Sequence, residues 1–387
     1  MASRRRRTFL ALLVVAALAS GFAIYRDGRH GRRVFADRMT NHESDFDFGA
    51  PPCGPAAKPA SADLRIAYLG VGGLLIEWRG SMLATAPYYT RQGLFEVMLG
   101  NVRIDTDAIA HGVGDFDPGS WDVLLSAHSH YDHLADVPEL MLRHATGATL
   151  WTNRSGAHML GAYPEIEHRV RSINDEVGTW IRLEKSDESL PFKMLPLTSA
   201  HAPHLYGLAF AHGTVDERWS SWDGRNTRAM RDGLTASFLI DLLDETGETV
   251  FRIFFQDSAS PAGIGHPPTE WIDERAADLA VICIPPYWQV EDYPEGVLES
   301  TAARYVMTIH YEDFFRPAEE PIRFVQSLTD ARVDTLLERV ENATRGRAAP
   351  LPVTAICGPS GDRWAMPLPG EWLGFDVPDD AVLTSEP

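Results

Sequence analysis

The stretch Ser126-Ala127-His128-Ser129-His130-Tyr131-Asp132-His133-Leu134 decides how the rest of the chain is read. It follows the apolar run Asp122–Ser126 (DVLLS), whose length and composition mark a buried strand. It leads into His133–His144, where Leu134, Val137, Leu140 and Met141 share one helical face. Three imidazoles and a carboxylate therefore lie within six residues at a strand-to-helix junction. Neutral imidazole nitrogens and carboxylate oxygens are good ligands for zinc and similar ions. His128 and His130 flank a single residue, so an extended turn aims both at one point. Asp132 and His133 face a second point nearby, and Asp132 also suits the N-cap of the following helix.

Outward from this junction, strand-like and helix-like stretches alternate. Leu64–Leu69, Gly73–Trp78 and Ser81–Ala86 read as a meander joined by glycine-containing turns. Further strands are expected at Ala148–Trp151, Trp180–Leu183, Lys193–Leu197, Thr235–Leu243, Val250–Gln256, Ala277–Ile284 and Tyr305–Ile309, and further helices at Gly296–Ala303 and Pro321–Thr344. Strands mixed with interspersed helices suit an α/β (α+β) sandwich of sheets flanked by helices. Residues 204–233, rich in Arg, Asp and Trp and without periodicity, read as a long insertion or lid.

The H-x-H-x-D-H order at the end of a buried strand resembles the signature of the metallo-β-lactamase superfamily, over roughly residues 63–316. That resemblance implies a four-layer αββα sandwich and supplies the remaining ligand segments in order. Met194–His201 ends a strand in a histidine, Phe254–Ser258 carries Asp257, and Met307–Tyr311 carries His310. It implies one ion held by His128, His130 and His201, a second by Asp132, His133 and His310, and Asp257 bridging them. His204, three residues after His201, competes for that position. The implied cofactors are two divalent ions, zinc first, with manganese or iron as alternatives. The implied chemistry is hydrolysis by a bridging hydroxide that Asp132 helps orient, on a phosphodiester or phosphoester or on a lactone or other ester. A metal-binding or scaffold protein of the same fold without turnover is the alternative.

The runs Leu69–Gly73 (LGVGG), Ser81–Pro87 (SMLATAP) and Asp278–Ile282 (DLAVI) are similar to the branch containing the N-acyl-phosphatidylethanolamine-hydrolysing phospholipase D and the L-ascorbate-6-phosphate lactonase. That branch has Asp-Pro where this chain has Thr85-Ala86-Pro87, so a group that supports the ligands is replaced by a hydroxyl. Substrate-binding residues are sought at His204, and at Tyr287 and Trp288 beyond the Cys283 strand. His212 is a further proton donor to consider. Arg218, Arg225, Arg228 and Arg231 of the insertion suit a phosphate or, equally, a solvated loop. Tyr206, Trp219 and Trp222 suit an acyl chain or lid packing.

With Lys+Arg 35 against Asp+Glu 54 in 387 residues, nucleic acid is excluded as a partner, because phosphate neutralisation needs surplus base. A small-molecule or lipid-like substrate remains. Arg4–Arg7 followed by the apolar Phe9–Leu18 reads as a signal peptide or membrane anchor over residues 1–25, with Ala17-Leu18-Ala19 as a small-x-small cleavage pattern. Arg6-Arg7-Thr8-Phe9-Leu10 resembles the twin-arginine export pattern. The expectation is an exported protein, periplasmic or anchored to the inner membrane through its N-terminus. Residues 26–62 read as a linker, 63–370 as the domain and 371–387 as a tail. Cys53 and Cys357 could pair in an oxidising compartment, whereas Cys283 reads as a buried thiol.

Overall fold

The computed structural model describes residues 58–59, 62–85, 87–203, 211–222, 226–325, 328–348, 351, 353–354 and 358–377. The expected signal or anchor, most of the linker, His204, Tyr206, Arg225, Cys53, Cys357 and the Arg228 side chain lie outside the described residues. Among the described residues no helix is long and apolar enough to cross a membrane.

Two mixed sheets, flanked by helices, form the α/β sandwich. The strands in chain order are β1 (Leu64–Gly70), β2 (Gly73–Trp78), β3 (Ser81–Thr85), β4 (Val123–Leu125), β5 (Thr149–Thr152), β6 (Val170–Ser172), β7 (Ile181–Lys185), β8 (Glu188–Thr198), β9 (Ala236–Leu243), β10 (Thr249–Gln256), β11 (Leu279–Cys283), β12 (Tyr305–Ile309), β13 (Val353–Thr354), β14 (Trp364–Ala365) and β15 (Trp372–Phe375). The first sheet runs β13-β15-β1-β2-β3-β4-β5-β6 and the second β14-β12-β11-β10-β9-β8-β7. Every residue of β9, β11 and β12 is buried, which is why these strands read as continuous apolar runs rather than alternating ones. The sheets meet through aromatic pairs: Phe375 of the first lies 5.7 Å from Phe251 and 6.3 Å from Tyr305 of the second.

Strand direction positions the site. β10, β11 and β12 are mutually parallel, and β8 runs antiparallel to β9, which is antiparallel to β10. The C-terminal ends of β8, β10 and β12 therefore lie on one edge of their sheet. β4, parallel to β3 and β5, ends in the first sheet at the His-rich loop. Ligand sites of open α/β sheets form outside such carboxyl ends.

Several expectations need correction. The single helix over His133–His144 is broken into Tyr131–Leu134, Val137–Glu139 and a π-turn at Leu140–His144, with Pro138 at the junction. Proline lacks the N–H that a continuous ladder requires, so the turns cannot fuse. The N-cap is His130 and not Asp132, which sits in the first turn with its carboxylate left for the site. The helix over Pro321–Thr344 begins only at Asp330, because Phe324 bridges back to Glu312. The domain also does not end at 370: Trp372–Phe375 pairs antiparallel with β1, Leu64 opposite Phe375, which places part of the supposed tail inside the first sheet.

Candidate metal centre

Four strand ends deliver seven side chains to one place. The loop after β4 brings His128, His130, Asp132 and His133; β8 is followed by His201, β10 by Asp257 and β12 by His310. Three groups of ligand atoms result, each within 4.8 Å: His128, His130 and His201; His128, His133 and Asp257; Asp132, His133 and His310. All seven are buried apart from half-buried His201.

The first group is oriented by backbone carbonyls. Nδ1 of His201 lies 2.7 Å from the carbonyl of Ala202, and Nε2 of His130 lies 3.3 Å from the carbonyl of Ala211. If those nitrogens carry the protons, Nε2 of His201 and Nδ1 of His130 present lone pairs; these two atoms stand 3.2 Å apart. Ser129, between the two histidines, faces the other way. Its N–H donates to the Asp232 carbonyl at 3.0 Å, and its hydroxyl lies 2.7 Å from the Arg231 carbonyl. Asn153 donates to the same Asp232 carbonyl at 2.7 Å. The end of the insertion is thereby fastened to the back of the H-x-H turn.

Asp257 stands between the groups, with Oδ1 3.2 Å from His128 Nδ1 and Oδ2 3.2 Å from His133 Nδ1. Asp132 Oδ2 lies 3.6 Å from Nε2 of both His133 and His310. Burial works against the ionised form of both carboxylates, but the surrounding imidazoles outweigh it. Asp257 is held below its ordinary range and Asp132 well below it. Burial also lowers His133, with His128 beside it, to about 4, which keeps that ring neutral. Burial lowers His128 and His310 as well, yet attraction to Asp257 for the one and Asp132 for the other leaves both raised. Nε2 of His128 and Nδ1 of His310 are buried without a hydrogen-bond partner among the described residues. Since nearly all buried polar atoms are paired, orphaned imidazole nitrogens in a cluster of ionised carboxylates fit a cation.

Residues that sequence reasoning passed over support this arrangement. Gly72 lies against the centre: a Cβ there would be 2.7 Å from His133 Cε1 and 2.8 Å from its Nδ1. Thr85, at the position of the missing Asp, is buried; its hydroxyl donates to the Gly72 carbonyl at 2.5 Å and accepts from the Leu74 N–H at 2.7 Å. The hydroxyl thus ties β3 to the Gly72 turn. The sequence signals here were the glycine-rich run at 69–73 and Thr85 in place of the expected Asp.

Other expected residues are placed differently. Tyr287 donates its hydroxyl to the Arg332 carbonyl at 2.8 Å, and Arg332 lies 3.9 Å from the Trp288 ring centroid. Both aromatics pack against the helix Asp330–Thr344. Trp219 and Trp222 pack together with ring centroids 6.1 Å apart, Trp222 also against Tyr163, as lid packing requires. Arg218 pairs with Glu167 at 2.6 Å on the surface. His212 is largely exposed, and its Nδ1 lies 2.7 Å from Oδ2 of buried Asp232, one residue from the carbonyl that orients His130.

No family model and no curated protein matches the chain. Among solved structures, Igni18, a metallo hydrolase from Ignicoccus hospitalis, is similar at 15% identity and a TM-score of 0.45, over 81% of this chain and 99% of that one. The metallo-β-lactamase fold protein YhfI from Bacillus subtilis aligns at 10% identity and a TM-score of 0.38, over 64% and 86%. CmlA, a diiron β-hydroxylase from Streptomyces venezuelae, aligns at 14% identity and a TM-score of 0.42, over 76% and 54%. Likenesses this distant say nothing of the reaction this chain performs.

Proposed function

We propose that the chain is a metal-dependent hydrolase with two divalent ions, one held by His128, His130 and His201, the other by Asp132, His133 and His310, with Asp257 between them. The observation that carries this reading is the convergence of seven His and Asp side chains, six of them buried, from four strand ends, with a nitrogen on His128 that has no hydrogen-bond partner among the described residues. Bound ions would polarise the scissile group and lower the pKa of a water toward neutrality. Zinc, manganese and iron all suit His/Asp ligation. Asp132, ionised and buried, would orient the attacking water by accepting its hydrogen bond. His212 would hold the proton for the leaving group at Nε2, because Asp232 fixes its Nδ1.

The substrate class proposed is a phosphodiester or phosphoester, with a lactone or other ester as the competitor. A small-molecule or lipid-like substrate fits both. Export is part of the proposal, supported by the Arg4–Arg7 cluster before the apolar run, and N-terminal sequencing of the chain from fractionated cells tests it. The functional test is a hydrolysis panel with bis(4-nitrophenyl) phosphate, a phosphomonoester and an aliphatic lactone. Turnover of one class is expected, abolished by chelator, restored by zinc or manganese and lost in Asp132→Asn. Bound metal without turnover of any panel member would favour the scaffold reading.

A further inference from the structure

One buried carboxylate beside the centre belongs to none of the three ligand groups. Glu312 lies two residues beyond His310 and is 2% exposed. Its Oε2 accepts from the Tyr68 hydroxyl at 2.5 Å, its Oε1 accepts from the Val71 N–H at 2.5 Å, and Arg91 Nη2 stands 3.5 Å from Oε1. The Tyr68 hydroxyl in turn accepts the N–H of His310 at 3.0 Å. A hydroxyl carries one proton, and Tyr68 gives it to Glu312, the nearer acceptor, rather than to the Val71 carbonyl at 3.2 Å, which leaves its lone pairs for His310.

Both branches of this network end on the Asp132–His133–His310 group. The Tyr68 branch grips the backbone of His310, whose φ of +63° is a conformation that a side-chain-bearing residue keeps only when its surroundings enforce it. The Val71 branch grips the turn whose next residue, Gly72, packs on the His133 ring. The first group has separate supports, the Ala202 and Ala211 carbonyls.

We infer that Glu312 is a positioning residue for the Asp132–His133–His310 group, acting through Tyr68 on His310 and through Val71–Gly72 on His133. This rests on the two-ion reading above. As the bonds stand, both oxygens of Glu312 accept. Glutamine replaces one acceptor by a donor, so it keeps the Val71 bond only if Tyr68 turns its proton to the Val71 carbonyl, 3.2 Å away, and it loses the charge that faces Arg91.

The test is a zinc titration of the full chain, made ion-free, comparing wild type with Glu312→Gln and Tyr68→Phe, with near-UV circular dichroism to follow the fold. Wild type is expected to take two equivalents. Each variant is expected to keep one unchanged and to bind the other 10- to 100-fold more weakly. Should Glu312→Gln not fold, Tyr68→Phe, which leaves the Val71 bond in place, carries the comparison. Equal weakening of both equivalents, or of neither, would overturn the role of Glu312 while leaving the two-ion reading intact. A wild-type chain that binds fewer than two equivalents would overturn the two-ion reading and this inference with it.

Discussion

At Gly72 the absence of a side chain governs a ligand. Because a Cβ would fall 2.7 Å from His133, Gly72→Ala must displace either the ring or the turn that Thr85 and Glu312 hold in place. Ion binding at least tenfold weaker is expected in a zinc titration, together with a lower melting temperature. Asp136 offers a prediction free of the ligands. It accepts from the N–H groups of Tyr89 and Thr90 and from the Thr90 hydroxyl, yet burial raises its pKa to about 6. A carboxyl raised above its unfolded value favours the fold below that value and loses this contribution as pH rises through the folded one. The stability of wild type relative to Asp136→Asn should therefore fall by about 3 kcal/mol between pH 4 and pH 6–7, measured by urea unfolding. A flat difference across that range would contradict the raised pKa. His128, His130, Asp132 and His133 stood out in the sequence because they crowd one strand end, whereas His201, Asp257 and His310 were reached through the resemblance to the metallo-β-lactamase superfamily. Gly72, Glu312 and Asp136 were not legible there, since their roles arise from contacts between segments far apart in the chain.

Elements followed the same division. β9, β11 and β12 were read within a few residues, because they are buried throughout and leave an unbroken apolar record. β13, β14 and β15, two to four residues long, leave no periodic record and are defined only by the strands they pair with. The helix after the His-rich loop failed for a local reason, Pro138, that its apolar face concealed. One interaction joins elements away from the site. Arg252 of β10, 1% exposed, makes a paired contact with Asp241 of β9 at 2.6 and 2.7 Å and donates to the Trp271 and Arg275 carbonyls. Arg252→Met leaves Asp241 with the more distant Lys193, at 3.3 Å, as its charge partner among the described residues. A loss of about 3 kcal/mol is expected in urea unfolding. Zinc affinity should be unchanged, because Arg252 lies toward the end of β10 away from Asp257.

For the whole molecule, two sheets hold a concentrated set of buried charges that burial alone disfavours. Asp132 and Asp257 stay ionised because imidazoles surround them, and bound cations would complete that compensation. The folded chain should therefore gain stability from ions: at a hundredfold excess over Kd, about 2.7 kcal/mol per site, seen as a melting temperature that rises with zinc and falls with chelator. The convergence of β4, β8, β10 and β12 is the structural fact behind the account, and the number of ions it holds is the most direct test. Elemental analysis of the full chain, purified without chelator or polyhistidine tag, should find about two equivalents of zinc, manganese or iron per chain. A content near zero that reconstitution does not raise would contradict the metal centre, and the hydrolase reading would fall with it.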